Sequence, residues 1–437
     1  MVNRAAPHCK ERRPSVRSLN GGLDMTAKQF IIFVNKVMGE HGHMVATPAN
    51  HGLLKRLNML TLLELVRTSG ETSRAELARR SGLSPPAVSA LVAKLVRAGL
   101  LIEEGTGESR GGRPPTLLRF NAHFGYVLGA DLGGTRVRVA LADLNGDFLA
   151  HAEEPTRKAP PRVRAVVEQI VRLSRQVVEM AGVRWRQVKA MAIGAPGITD
   201  VESGLVRHAP NLPGWRDVPL RRLLEEALRL PVHVDNDVNM AVLGEHWRGV
   251  ARGRRNVVFI AVGAGIGAGL LINGALYRGA THAAGEVGYM LLDPKALWQE
   301  FRELGFLELR ASGPALAARA RQVMQRSRLS DAKAIFEAAR QGDVAAQRVV
   351  EEAIEYLGTA VANLATVLDP EMIVLGGGVS LAGEVLLDPI RAAIERTVPA
   401  RPAVVVSALK DQAQLYGAVF SALQLVERHL ADMVARL

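Results

Sequence analysis

The stretch Asp131-Leu132-Gly133-Gly134-Thr135-Arg136 follows the apolar run Tyr126-Val127-Leu128 and precedes the alternating Val137, Val139 and Leu141. This pattern reads as strand, tight glycine turn, strand. Two glycines without side chains bring bare backbone to a ligand, and Thr135 adds a hydroxyl. Asp131 adds a carboxylate suited to a magnesium ion or its bound water. Such a turn suits phosphate. It opens a domain about 120 residues into the chain, so a separate module precedes it.

Two further glycine turns follow. Gly263-Ala264-Gly265-Ile266-Gly267-Ala268-Gly269 comes after the apolar Val257-Val258-Phe259-Ile260 and precedes another strand, not a helix. That context excludes a dinucleotide fingerprint. Leu375-Gly376-Gly377-Gly378-Val379 again stands at a strand end. Glycine turns at 133–134 and 263–269, each between two strands, predict a duplicated, two-lobed fold clasping a nucleotide; ligand-free packing turns are the plainer alternative. Around them strands and helices alternate as in α/β domains. Strands are predicted at 126–131, 136–143, 146–152, 188–194, 231–235, 256–263, 267–273, 371–376 and 403–406. Helices are predicted at 161–181, 217–229, 237–247, 312–325, 343–368, 383–397 and 412–428, the first begun by Pro160-Pro161 and the 343–368 helix a core or dimer element.

The polar cluster Val234-Asp235-Asn236-Asp237-Val238-Asn239 opens one of these helices. A carboxylate there can accept a sugar hydroxyl proton, making Asp237 a general base, while Asn236 bonds the neighbouring hydroxyl. Taken alone, such a cluster is a helix cap.

Upstream, Leu53, Leu54, Leu57, Leu60, Leu63, Leu65 and Val66 lie at helical spacing and end at Gly70. Ser73 and Glu76 form a capping-box pattern opening a helix at 74–80. Gly82 breaks the chain, and Ser84-Pro85 starts a third helix whose stripe is Val88, Leu91, Val92, Leu95 and Val96. Helix, glycine turn, helix is the helix-turn-helix arrangement. Its outward positions Ser84, Pro86, Ala87, Ser89, Ala90 and Lys94 are mostly small, so the backbone can approach base edges. Segment 103–115 reads as a hairpin wing carrying Arg110 and Arg113 on a glycine-rich tip suited to a narrow minor groove. Arg113→Ala is expected to weaken operator binding.

Composition agrees. The first 120 residues hold 18 Lys+Arg against 9 Asp+Glu, while the whole 437-residue chain carries +12, so the basic excess is concentrated in the N-terminal module. That balance favours nucleic acid as a partner. The single cysteine, Cys9, excludes intramolecular disulfides and multi-cysteine zinc sites and fits a reducing compartment. There is neither a long apolar span nor the apolar core of a signal peptide, so a cytoplasmic protein away from membranes is expected.

Together these motifs resemble the ROK family, bacterial repressors and sugar kinases on the actin-like ATPase (ribonuclease H-like) fold, over about residues 50–430. The resemblance makes Asp131, Gly133, Gly134 and Thr135 the first phosphate loop. Gly263, Gly265 and Gly267 become the second, and Gly376 and Gly377 the adenosine segment. It makes Asn236-Asp237 the catalytic pair. Ala209-Pro210-Asn211-Leu212-Pro213-Gly214-Trp215 is similar to the family's sugar-lid motif, with Asn211 a hydroxyl contact. Gly285-Glu286-Val287-Gly288-Tyr289 and Gly305-Phe306-Leu307-Glu308 resemble the segments that give Glu286 and Glu308 to sugar. Tyr289 stands where the family has a sugar-binding His, and residues 290–306 lack the family's zinc cysteines. No bound zinc is therefore expected, and sugar binding is expected to survive more readily than phosphoryl transfer. Arg136 replaces a common Lys or Asn.

The implied organisation is a poorly ordered arm at 1–48, a winged helix-turn-helix at 49–121, and a two-lobed effector-binding and dimerisation domain at 122–437. The implied function is a sugar-responsive repressor of carbohydrate genes. Operator DNA, a sugar or sugar phosphate and a second copy of the chain are its partners, with ATP and magnesium as optional ligands. The alternatives are an ATP-dependent sugar kinase with an appended DNA-binding head, and a DNA-binding scaffold without ligand.

Overall fold

The computed structural model describes residues 51–106, 114–157, 162–323 and 331–435, all within the compact unit Asn50–Leu437. The expected arm at 1–48, Arg110 and Arg113 at the wing tip, and Pro160-Pro161 lie outside the described residues.

The head begins with α1 (His51–Ser69), which buries Met59, Leu62, Leu63 and Val66. The short β1 (Glu71–Ser73) leads into α2 (Arg74–Ser81), then α3 (Pro85–Arg97), β2 (Leu101–Thr106) and β3 (Thr116–Phe120). Ser73 Oγ accepts from Glu76 N at 3.2 Å, as the capping pattern requires. The reciprocal half of the box is replaced: the Glu76 carboxylate takes Arg79 Nε at 2.9 Å. Leu77 on α2 and Val88, Leu91, Val92 and Leu95 on α3 close the core. Strand β1 pairs with β3, giving a three-stranded wing of order β1-β3-β2. Three residues are too few for a sequence periodicity, which is why β1 escaped the pattern.

The body holds two five-stranded sheets. The first contains β4 (Tyr126–Leu132), β5 (Arg136–Asp143), β6 (Phe148–Pro155), β7 (Val188–Ala195) and β11 (Val232–Asn236), in the order β11-β7-β4-β5-β6. The second contains β12 (Val257–Val262), β13 (Ile266–Ile272), β14 (Ala275–Leu276), β15 (Met372–Gly376) and β16 (Ala403–Val406), in the order β14-β13-β12-β15-β16. In each, an antiparallel meander of three strands is followed by two parallel additions. The same order twice is the duplication that the paired glycine turns announced.

A third sheet, β8 (Ile198–Asp200), β9 (Leu205–His208) and β10 (Arg216–Val218), was not foreseen, its strands again being very short. Because residues 216–218 pair with β9, the helix expected at 217–229 starts at Leu220 (α5, Leu220–Leu228). The first body helix, α4 (Arg162–Met180), precedes it, and α6 (Asp237–Arg248) follows. The short α7 (Glu308–Ala311) leads to α8 (Gly313–Val323), and the unforeseen α9 (Ala332–Arg340) is capped by Asp331 Oδ1 on Ala334 N at 2.9 Å. Helix α10 (Val344–Leu368) is a core element, burying Val349, Val350, Leu357 and Val361. The last two helices are α11 (Glu384–Thr397) and α12 (Ala413–Ala435), the latter longer than its apolar pattern suggested.

Helix α12 packs on β4 and crosses α6 at very short range. A Cβ on Gly244 would collide with the Ala413 carbonyl, and one on Gly417 with the Met240 carbonyl. Only glycine permits this approach. At its other end α12 meets the head, where Arg67 Nη1 donates to Glu427 Oε1 at 2.9 Å and Arg67 lies 5.0 Å from the Phe120 ring centre. Among the described residues no helix is long and apolar enough to cross a membrane.

Candidate functional site

Asp131 ends β4, and the turn behind it closes through Gly133 N on Arg136 O at 2.8 Å and Thr156 Oγ1 on Gly133 O at 2.7 Å. Thr135 is exposed. The loop 209–215 folds over this turn, pinned by the buried Trp215 and Leu212. Asn211 therefore comes to lie against Gly134 and also close to Gly265 in the second turn. Glu308, at the start of α7, faces the same Gly265 and Gly288. Gly263 closes the second turn with its N on Gly265 O at 2.9 Å, and its own carbonyl receives Gly313 N at 2.9 Å from the start of α8.

Asp237 opens α6 beside Gly194 of β7. Burial, reinforced by the charges of Asp131 and Glu286, pushes its carboxyl up to about 8. Glu286 is pushed up to about 7 by burial and by Glu308. Glu308 is raised by burial, against the pull of the Gly305 and Ile266 amides. Tyr289 is raised by burial and then by the charges of Glu286, Glu308 and Glu303, so it faces the same cluster. Five of the six residues assigned to sugar thus converge: Asn211, Asp237, Glu286, Tyr289 and Glu308. A carboxyl whose protonated form is favoured by burial can donate to a hydroxyl group as well as accept from one.

Asn236 is held by the backbone around it. Its Oδ1 accepts from Val238 N (2.8 Å) and Asn239 N (3.1 Å), and its Nδ2 donates to Gly197 O at 2.9 Å. The side chain is a helix cap with its carbonyl spent on the backbone. Two glycines assigned to phosphate also have packing neighbours that a side chain would meet. Gly267 lies within β13 against Val238, and Gly376 lies buried in β15 where a Cβ would strike the Phe259 ring. Gly377 is the true turn residue, with φ 82°. Beside it a groove of about 420 Å³ is lined by Phe336, Lys333, Gly378 and Ala382 among others.

Asp131, assigned to magnesium, has an arginine for its partner. Its Oδ2 accepts from Arg138 Nη2 at 2.7 Å and Nε at 3.0 Å. Burial raises the Asp131 carboxyl while Arg138 opposes that rise. As for zinc, His282 faces Asp200 at 3.6 Å. Among the described residues no three or more His, Cys, Asp or Glu are grouped as a metal requires.

A second network stands behind Asp237. Asp235, fully buried, receives Arg278 Nη2 at 2.6 Å and Nε at 3.2 Å, Asn239 Nδ2 at 3.0 Å and Asn236 N at 2.7 Å. The contact with His233, followed by the charge and bonds of Arg278 and the Asn239 amide, outweighs its burial and holds it down at about 2. Residues 235 and 278 are too far apart in sequence for any local pattern to pair them.

On the head, Ser84, Pro86 and Ser89 are exposed along α3, and Ser84 makes no side-chain cap bond. Lys94 is pulled below its ordinary range by contact with Lys55 of α1, and further by the charges of Lys55 and Arg97. Three cations thus crowd one face beside the presented helix, which is what a phosphodiester backbone requires. Lys55 was not anticipated, since α1 carries it outside the helix-turn-helix proper.

The raised carboxyls predict a pH dependence. A folded pKa above the unfolded one contributes stability that is complete below about pH 4 and lost as pH rises through 7 to 8. The melting temperature of the sugar-free protein is expected to fall between about pH 6 and about pH 9. Asp237→Asn should remove most of that slope in thermal-shift measurements; an unchanged slope would assign it to other groups.

A two-lobed duplicated body with polar side chains converging between its glycine turns, preceded by a winged helix-turn-helix, defines a class of sugar-kinase-like regulators. The chain belongs to the ROK family, which residues 127–425 match; residues 54–110 match the MarR family. It is 31% identical over 386 residues to a xylose repressor of Caldicellulosiruptor bescii, covering 85% of this chain and 96% of that one. A solved ROK family transcriptional regulator, a homologue of the E. coli MLC protein, superposes with TM-score 0.70 at 27% identity, covering 87% of this chain and 99% of that one. A ROK family glucokinase from Streptomyces griseus, solved with glucose and AMPPNP, matches at TM-score 0.60 and 33% identity, covering 69% of this chain and 100% of that one.

Proposed function

We propose that this chain is a sugar-responsive transcriptional repressor that binds operator DNA through α3 and the wing, and a monosaccharide or sugar phosphate in the cleft between its sheets. The observation that carries the reading is the convergence of Asn211, Asp237, Glu286 and Glu308 on one cleft in a chain that also carries a DNA-binding head. A polyhydroxylated ligand needs such adjacent donors and acceptors. The bound sugar alters operator affinity to the extent that it binds the two head arrangements unequally.

One helix-turn-helix gives a small interface, so the working unit is a homodimer, or a higher assembly of dimers, reading two half-sites. Sedimentation at micromolar concentration is expected to report a dimer.

The deciding experiment is anisotropy on DNA from upstream of this gene, with a panel of hexoses, xylose and their phosphates. At least one sugar is expected to change operator affinity. Glu286→Gln and Asp237→Asn are each expected to weaken binding of that sugar by about tenfold. If neither does, the effector binds elsewhere. The kinase reading draws support from the glycine turns and Asp237. It predicts ATP-dependent turnover abolished by Asp237→Asn in a coupled assay, whereas the repressor reading predicts none.

A further inference from the structure

We infer that Arg138 is a built-in counter-ion at the position a divalent cation would need, so that this cleft does not take a nucleotide as its magnesium complex. The strand pairing fixes the arrangement. Asp131 on β4 and Arg138 on β5 are direct partners in the antiparallel register, so both side chains leave the same face of the sheet. The Arg138 guanidinium then lies on Asp131 Oδ2, with Nη2 at 2.7 Å and Nε at 3.0 Å. Asp131 is almost entirely buried and Arg138 largely so.

Arg138 is not free to swing aside. Its Nη1 donates to the Asp411 backbone carbonyl, and the Asp411 carboxylate lies 3.7 Å away. All three nitrogens of the fork are therefore engaged. Magnesium requires oxygen ligands at close range in near-octahedral array and sheds its water reluctantly. Here the carboxylate is already neutralised by a fixed positive group, which repels a second cation at the same oxygen. The residues present do not fit the magnesium role that the glycine turn suggested for Asp131. Asp131 and Arg138 alone exclude the cation, whether or not the cleft binds sugar.

The test is binding of a fluorescent ATP analogue to the full-length protein, with excess magnesium or with EDTA. The wild type is expected to show affinities that agree within about twofold in the two conditions, or no binding in either. Arg138→Met removes the charge and keeps the volume, and is expected to make binding at least about tenfold tighter with magnesium than with EDTA. Arg138→Lys retains the charge and should behave as the wild type. Wild-type binding tightened about tenfold or more by magnesium overturns the inference, whatever the variants do. So does a folded Arg138→Met protein, verified by its melting temperature, that remains indifferent to magnesium.

Discussion

Arg278→Ala is expected to destabilise the protein by about 3–5 kcal/mol, as removal of one partner from a buried ion pair does. Asp235 is 1% exposed and its charge is kept by a small set of donors, of which the guanidinium supplies two. Without Arg278 the carboxylate must either stay ionised without its counter-charge or take up a proton in a position arranged for the anion. His233 Nε2, 3.9 Å away, also helps hold the charge, but it cannot make the two-point bond of a guanidinium. Urea denaturation followed by tryptophan fluorescence measures the loss, and Arg278→Lys should recover part of it. Arg278 also leads into the segment that carries Glu286, while Asp235 immediately precedes Asn236 and Asp237. Sugar affinity should therefore fall along with stability. A change below about 1 kcal/mol would mean that His233, Asn239 and the backbone suffice to hold Asp235.

Ser89→Asp is expected to lower operator affinity by about a hundredfold, near 3 kcal/mol, without lowering the melting temperature. Ser89 is exposed on α3, on the side opposite the buried Val88, Leu91, Val92 and Leu95. With α3 as the reading helix, a carboxylate there would face phosphates and base edges. It also neutralises part of the positive field around Lys55, Lys94 and Arg97. Because Ser89 contributes nothing to the core, the folded state should tolerate the change. Anisotropy against the same DNA fragment measures it, and unaltered affinity would mean that α3 is not the reading helix.

What the sequence disclosed and what it withheld divide along physical lines. The helix-turn-helix and both body sheets, except the two-residue β14, were legible because apolar periodicity and glycine punctuation are local signals. Strands β8, β9 and β10 were not, since runs of three or four residues carry no period. Asn211, Asp237, Glu286 and Glu308 were recognisable from four short motifs, although only the fold brings them together. What the sequence withheld is which neighbour each group chooses within the fold. Asn236 caps a helix, Gly267 and Gly376 make room for Val238 and Phe259, and Asp131 is taken by Arg138. Each choice is made in three dimensions by a partner that no spacing rule indicates. Asp235 and Arg278 are the extreme case, a pair formed between distant segments.

The close crossing at Gly244 and Gly417 leaves no room for slip, so α12 must turn with α6 as a rigid rod. From Ala413 to Glu427 the rod measures about 21 Å at 1.5 Å per residue. A tilt of about 5° at the cleft end displaces Glu427 by roughly 2 Å, more than the 2.9 Å contact with Arg67 can stretch before it breaks. With leverage of this kind, a small rearrangement around Asp237 would be felt at the root of the head, at the Arg67–Glu427 bond.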